Sequence, residues 1–164
     1  MEIVFSDKCL KFKQEGHPES PERVRLAYEH LKDYYKIVKP SACFDKELLN
    51  AHTKRLVDSV KNKSFYDADC PLYDNIFDYA SLSAGAAIMA AKKQGFSLMR
   101  PPGHHAGKDS LGGFCYFNNI AVAVKSLGKK TLILDIDAHH GNGTQDVFLG
   151  DENVTYVSLH KSPE

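Results

Sequence analysis

The chain has no tryptophan, no net charge and no hydrophobic run of membrane-spanning length. Lysine plus arginine and aspartate plus glutamate each number 21, so the basic excess typical of nucleic-acid-binding proteins is missing and we expect no nucleic-acid partner. The best apolar stretch, residues 84–91, is too short to cross a bilayer. The N-terminus lacks a signal-peptide pattern. We therefore expect no membrane partner and a cytoplasmic location.

The cysteines are few and far apart. Cys9, Cys43, Cys70 and Cys115 form no Cys-x-x-Cys pair, which argues against a cysteine-based zinc site, a redox motif or a disulfide framework. With 164 residues, of which 43% are hydrophobic and 26% charged, the composition is typical of one globular domain with its own core. No internal domain boundary is expected within residues 1–164.

Apolar runs of strand type alternate with segments of helical periodicity. Strands are predicted at 3–5, 96–99, 131–135 and 154–159, and helices from 21 to about 35, from 54 to about 60, and at 76–94, 118–127 and 144–149. Ser20 is expected to cap the first helix and Gly95 to end the helix over 76–94. This alternation predicts an α/β fold, a three-layer sandwich whose mainly parallel sheet is covered on both faces. Functional residues of such sheets lie beyond the carboxyl ends of the strands.

The segment Leu132–Asn142, with the sequence LILDIDAHHGN, carries the strongest chemical signal. Asp135, Asp137 and His139 are spaced two apart, so their side chains share one face if the strand geometry persists. Two carboxylates and an imidazole at the end of a strand form the beginning of a divalent-metal site. The alternative is that the carboxylates only cap and stabilise the following turn, which accounts for one of them.

A second signal is the paired His104 and His105, in a loop shaped by two prolines and a glycine. Paired imidazoles can divide acid and base roles when their neighbours differ. The natural neighbours are the Asp135 carboxylate and the Asn142 amide. The alternative is that both histidines only hydrogen-bond the backbone.

Two weaker signals stay open. The segment Gly112–Phe117 is either a turn followed by core residues or an aromatic wall of a substrate channel. His17, His30 and His52 lie in or beside predicted helices, where a structural role is the more common one.

Three ordered motifs together resemble the histone deacetylase family, which has the arginase/deacetylase fold and includes acetylpolyamine amidohydrolases. They are Arg100–Ala106 (RPPGHHA), Gly113–Asn119 (GFCYFNN) and Asp135–Gln145 (DIDAHHGNGTQ), and the segments His17–Arg23 and Asp69–Pro71 extend the likeness. Asn142 makes the chain more similar to the class II and bacterial or archaeal members. The fold implied is arginase/deacetylase-like.

The resemblance implies metal-assisted hydrolysis of acyl-lysine peptides or acetylpolyamines by one Zn²⁺, or Fe²⁺, per site. It makes Asp137 and His139 metal ligands and His105 the base that activates water. It also assigns catalytic roles to His104, Asp135 and Asn142.

The same resemblance implies a substrate tunnel and a structural cation. Gly113 and Phe114 would line the tunnel, and Asp69 would hold the substrate at its rim. A structural K⁺ would be held at Asp135, Asp137, His139, Ser158 and Leu159.

The family supplies a second zinc-binding aspartate, a catalytic tyrosine and a glycine-rich loop after the last strand seen here. The chain is therefore expected to be a truncated, N-terminal part of one deacetylase domain, weakly active or inactive alone. An exposed sheet edge would accept a C-terminal complementing fragment or a second copy. Two alternatives are a non-catalytic metal-binding or interaction remnant, and a binuclear ureohydrolase-like enzyme, which Gly141 disfavours because two-manganese enzymes place aspartate there.

Overall fold

The computed structural model describes residues 1–162, in which helices and parallel strands alternate. The elements are β1 (Glu2–Val4), a 3-10 helix (Asp7–Leu10), α1 (Glu22–Leu31), β2 (Lys36–Val38), α2 (Asp45–Leu48), α3 (Lys54–Lys61), α4 (Ile76–Lys93), β3 (Phe96–Ser97), α5 (Asn119–Leu127), β4 (Thr131–Asp135), α6 (Asn142–Phe148) and β5 (Val154–Ser158). The predicted α/β class with parallel strands is confirmed. No helix within these residues is both long enough and apolar enough to cross a membrane.

The strands form two hydrogen-bonded sheets within residues 1–162, where the sequence predicted one. The first has the order β2-β1-β3 and the second pairs β4 with β5, and all pairings are parallel. In the second sheet Thr131 lies opposite Val154 and Asp135 opposite Ser158. Helix α4 packs against β1 and β3 of the first sheet and also against α5. The packing of helices therefore continues across the gap between the two sheets.

Helix α4 can lie this close to its neighbours because most side chains on its buried face are small. Ala80, Ala84 and Ala86 are almost fully buried. A Cβ on Gly85 would collide with the backbone of Ser41 and lie 2.8 Å from the Cys43 amide nitrogen. The main core joins this helix to α3, α5 and the inner face of β4.

Helix α1 is shorter than predicted. It ends at Leu31, whose carbonyl accepts the amides of both Tyr34 and Tyr35 in a closing turn. Strand β2, which the sequence analysis missed, begins directly afterwards. At the other end Pro21, not Ser20, occupies the N-cap position, and no side chain caps this helix.

Helix α4 ends differently from the prediction. The residue with left-handed backbone is Gln94, at φ 51°, rather than Gly95. Gly95 is required for another reason, because a Cβ there would lie 2.7 Å from the Glu2 carbonyl oxygen of β1.

Strand β4 is buried on one face only, which corrects the expectation of a fully covered sheet. Ile133 is 6% exposed, whereas Leu132 and Leu134 are 66% and 57% exposed. The apolar residues of β4 therefore lie on two surfaces. Ile133 packs in the core, whereas Leu132 and Leu134 lie on the exposed face.

Candidate active site

The end of β4 continues into two successive tight turns. The Asp137 amide donates to Asp135 Oδ1 (3.0 Å), and the His139 amide donates to Asp137 Oδ1 (2.8 Å). Strand geometry stops at Asp135, so the predicted common face does not arise from a longer strand. The turns keep the side chains together instead, with 3.3 Å between His139 Nδ1 and Asp137 Oδ1. The carboxylates therefore shape the turn and also face the site.

Asp135 holds His104 through its second carboxylate oxygen. His104 Nδ1 lies 3.0 Å from Asp135 Oδ2, and the Tyr156 hydroxyl donates to the same oxygen at 2.9 Å. Burial raises the pKa of Asp135, but the hydrogen bonds from His104, the Asp137 amide and Tyr156 outweigh it and hold this pKa below its ordinary value. Asp135 is therefore a carboxylate that accepts Nδ1–H of His104.

His105 has a different partner. Its Nδ1 lies 2.6 Å from Asn142 Oδ1, and its ring centroid is 4.0 Å from that of His104. Asn142 begins α6, whose start is fixed by the Thr144 amide donating to the His104 carbonyl (3.0 Å). The two imidazoles are thus adjacent, one on a carboxylate and one on a neutral amide.

Two glycines make room for this pair. Gly113 has φ +52°, and a Cβ there would lie 2.5 Å from Cδ2 of His105. A Cβ on Gly141 would collide with the carboxylate of Asp135 and the hydroxyl of Tyr156, and would lie 3.0 Å from His104 Nδ1. An aspartate side chain at position 141 therefore does not fit this arrangement.

A cavity of about 470 Å³ opens in front of the histidines. Its lining includes most of the predicted site, namely Asp69, His104, His105, Gly113, Phe114, Asp137 and His139, together with Arg23. Asn142 and Asp135 lie behind this wall and contact the histidines from outside the cavity.

Sequence reasoning missed two residues that contact Phe114, namely His17 and Arg23. The Phe114 ring, on a residue with φ +71°, makes an edge contact with His17 (centroids 5.1 Å apart), and the Arg23 guanidinium lies 5.8 Å from its centroid. The sequence analysis had assigned no functional role to His17 or Arg23 individually. Within Gly112–Phe117 the last three residues are buried core residues, whereas Phe114 lines the cavity, and its role as the wall of a substrate channel stays a prediction.

His52 supports the loop that carries His104 and His105 from inside the protein. Its Nδ1 lies 2.8 Å from the Gly107 carbonyl oxygen, and its Nε2 accepts the Asn118 amide at 2.9 Å. Burial lowers the pKa of His52 to about 4, which the backbone hydrogen bonds only partly oppose. The ring is therefore neutral, with its proton on Nδ1. Asn118 in turn caps α5 by accepting the Ala121 amide.

A buried ion pair anchors the other end of the same loop. Arg100 Nε donates to Glu19 Oε1 at 2.6 Å, and its Nη1 donates to the Cys9 carbonyl at 2.5 Å. The guanidinium also lies 4.0 Å from the ring centroid of Phe12. This contact ties the N-terminal segment to the residues just before His104.

The donors available for a metal are Asp137 and His139. Two bonds of about 2.0–2.1 Å at a tetrahedral angle place donor atoms roughly 3.3–3.4 Å apart, which matches the observed 3.3 Å. Within residues 1–162 no group of three or more histidine, cysteine, aspartate or glutamate side chains is arranged to hold a metal. The donors present fit a part of a zinc site.

The residues named for a structural cation lie at the paired ends of β4 and β5. The Leu159 amide donates to the Asp135 carbonyl at 2.9 Å, and Ser158 Oγ lies 2.8 Å from His160 Nδ1. The structural K⁺ stays a prediction.

Comparison with known proteins agrees with this geometry. Residues 17–164 match the histone deacetylase domain. The chain belongs to the histone deacetylase family. It is 36% identical over 184 residues to a probable deacetylase of Archaeoglobus fulgidus, and this match spans 98% of the chain and 51% of that protein.

Two further comparisons point to the same family. The acetylpolyamine amidohydrolase of Mycoplana ramosa is 54% identical over 89 residues, which span 51% of this chain and 26% of that enzyme. The crystal structure of the HDA15 HD domain superposes with a TM-score of 0.88 at 34% identity, over 97% of this chain and 53% of that one. The chain thus spans about half the length of the deacetylases that it matches end to end.

Proposed function

We propose that the chain contributes the histidine side of a zinc-dependent, or Fe²⁺-dependent, deacetylase site acting on acyl-lysine side chains or acetylpolyamines. The observation that carries this proposal is the pair His104 and His105, held by unlike partners in one cavity with Asp137 and His139. The substrate classes are suggested by the histone deacetylases and the acetylpolyamine amidohydrolase among the relatives.

His105 is the proposed general base. The Asn142 side-chain oxygen accepts from Nδ1–H of His105, which leaves the lone pair of Nε2 free to take a proton from water. The Asp135 carboxylate lies 3.0 Å from His104 Nδ1 and fixes the orientation of that ring beside His105. The two adjacent rings are thus oriented by unlike neighbours, a carboxylate and an amide.

Asp137 and His139 would hold the metal, which when bound polarises the acyl carbonyl and lowers the pKa of water. Catalytic zinc sites use three protein ligands, and residues 1–162 offer no such set. We therefore propose that activity requires a further part of a deacetylase domain, and that the chain alone turns over substrate slowly or not at all. The structural K⁺ and a cytoplasmic location are further parts of this proposal.

The substrate would enter past Phe114, whose ring forms one wall of the cavity, with Gly113 beside His105. The exposed carboxylate of Asp69, at the same opening, can accept an amide or ammonium proton of the substrate. A flat apolar ring and an anionic acceptor suit the methylene chain and the nitrogen of an acylated amine.

One observation favours a non-catalytic alternative, a metal-binding or interaction protein. Only two donors meet in the described part of the chain, which is enough for weak metal binding but not for a catalytic site. The binuclear ureohydrolase alternative has no such support, because the space beside Gly141 is taken by Asp135, Tyr156 and His104.

The test uses a chimera in which this chain continues into the part of the Archaeoglobus fulgidus protein that lies beyond its match. The zinc-loaded chimera should hydrolyse an acetyl-lysine peptide or acetylputrescine, and His105→Ala should reduce turnover on the order of 10²–10⁴-fold because the base is lost. His30→Ala, at an exposed position on α1, is the matched control. A folded, zinc-loaded chimera without hydrolysis would favour the non-catalytic alternative.

A further inference from the structure

A tight turn carries Phe114 beside the cavity in front of the histidines. Gly112 and Cys115 exchange backbone hydrogen bonds of 3.1 and 2.9 Å. The two residues between them, Gly113 and Phe114, have φ of +52° and +71°. Positive φ at both central residues is the mark of a type I′ turn. Because left-handed backbone costs free energy for phenylalanine, Phe114 keeps this conformation only where its surroundings fix it.

Tyr116, directly after this turn, holds both ends of the loop that carries Asp69 (residues 65–71, the rim loop). The Tyr116 hydroxyl donates to the Pro71 carbonyl oxygen at 2.6 Å, and the rings of Phe65 and Tyr116 make an edge contact with centroids 5.7 Å apart. Tyr116 is only 1% exposed, so water has little access to this hydrogen bond. The rim loop is therefore anchored on the segment that presents the phenylalanine.

Asp67 shapes the middle of the rim loop. Its Oδ1 accepts the Asp69 amide at 2.9 Å, and its Oδ2 lies close to Gly112, 3.6 Å from where a Cβ would be. Cys70 Sγ adds a contact of 3.8 Å with the Cys115 carbonyl oxygen. Burial raises the pKa of Cys70, so its thiol stays protonated and can donate there. Asp67 thus fixes the backbone of Asp69 and also lies beside the turn.

The described lining of the cavity includes Asp69 and Phe114 but neither Asp67 nor Tyr116. We infer that Asp67 and Tyr116 are positioning residues for Asp69. They fix the rim loop relative to Phe114 and so set the gap that the methylene chain and nitrogen of the substrate must fit. The inference rests on the proposed function, in which the Asp69 carboxylate accepts a proton of the substrate.

Amide exchange measured by NMR on the 164-residue chain tests how Asp69 is held. Asp67→Ala removes the acceptor and should speed exchange of the Asp69 amide on the order of tenfold. Asp67→Asn keeps an oxygen that can accept the same hydrogen bond, so its exchange rate should stay close to that of the wild type. Asp74→Ala, at an exposed position beyond the rim loop, is the matched control. Equal exchange of the Asp69 amide in Asp67→Ala and the wild type would overturn the inference.

Turnover by the zinc-loaded chimera tests the consequence for substrate. Tyr116→Phe removes only the hydroxyl and should raise KM for an acetyl-lysine peptide about three- to tenfold with kcat unchanged. In an Asp69→Ala background the same substitution should leave kcat/KM unchanged, because Tyr116 acts through Asp69. Asp67→Ala should shift KM in the same direction, which keeps the test valid if Tyr116→Phe impairs folding. Tyr28→Phe, on α1 and outside the cavity lining, is the matched control.

Two kinetic results would also overturn the inference. One is a fall in kcat without a change in KM, and the other is an equal effect of Tyr116→Phe with and without the Asp69 carboxylate. A folded wild-type chimera without turnover would instead count against the proposed function. The exchange measurements do not depend on turnover, so they still decide whether Asp67 holds Asp69.

Discussion

The Asp135 carboxylate holds three groups at once. One oxygen accepts the Asp137 amide and shapes the turn, while the other receives both His104 and Tyr156. The side chain is 13% exposed, so few water molecules compete for these contacts. The orientation of His104, the shape of the turn after β4 and the attachment of this turn to β5 thus depend on one residue.

The small space around this carboxylate gives the first prediction for stability. Gly141→Ala places a methyl group against Asp135 and Tyr156, and we expect a loss of about 1–3 kcal/mol in the free energy of unfolding. Urea denaturation followed by circular dichroism measures the change. In the control Gly112→Ala, the nearest atom to the new Cβ is Asp67 Oδ2 at 3.6 Å, so stability should hold. Equal urea midpoints for the two variants would show that a methyl group at position 141 is not crowded.

His52 predicts how stability depends on pH. Its pKa is about 4 in the folded protein and near the ordinary 6.5 when unfolded, so the unfolded chain takes up the proton first as the pH falls. Stability from this residue is complete above pH 6.5 and declines toward pH 4, by about 3 kcal/mol in total. Urea unfolding across this range should show a flatter profile for His52→Gln, which cannot titrate. His30→Gln, on the surface, should keep the wild-type slope.

At this scale the sequence predicted part of the site. The meeting of His104 with Asp135, and of His105 with Asn142, could be expected because loops that follow parallel strands gather at one edge of a sheet. Tyr156 was not identified because it lies within a strand and carries no motif. The contact of His17 with Phe114 depends on how a long N-terminal segment folds back, which local pattern does not specify.

Among the elements, the N-terminal segment and the loop after β3 are joined by one buried ion pair. Glu19 and Arg100 have side chains only 4% and 2% exposed. Glu19→Gln leaves the guanidinium charge without its counter-charge, so we expect a loss of about 3–5 kcal/mol in unfolding free energy. Chemical denaturation measures it, and Glu19→Gln combined with Arg100→Met should recover part of the loss.

The control for this ion pair is on the surface. Lys36→Gln breaks the contact between Lys36 and Glu2, in which the lysine side chain is 72% exposed, and should have a much smaller effect. Similar losses for Glu19→Gln and Lys36→Gln would show that burial does not govern the contribution of these pairs.

Long elements could be predicted and short ones could not. Helices α4 and α5 lie within two residues of their predicted bounds, and the Thr53 and Asn118 side chains cap α3 and α5 by accepting the Leu56 and Ala121 amides. Strand β2 has three residues and α2 has four, too few for a period to show. The predicted end of α1 was wrong because Tyr34 and Tyr35 continue the helical spacing of apolar residues after the helix has ended.

For the whole molecule, alternation of elements predicted the layered α/β class but not the order of strands. Strand order depends on contacts far apart in sequence, and residues 1–162 distribute their strands over two sheets with a cavity between them. The exposure of Leu132 and Leu134 follows from that arrangement. An apolar run in a strand predicts that both faces are buried, but the order of strands decides which face is covered.

The two turns at the end of β4 also affect the order in which the contacts of the site form during folding. Asp135, Asp137 and His139 are linked by hydrogen bonds between residues two apart, whereas His104 must reach Asp135 across 31 residues. Short loops close faster than long ones. We therefore expect the spacing of Asp137 and His139 to be established early in folding, before the long-range contact between His104 and Asp135 forms.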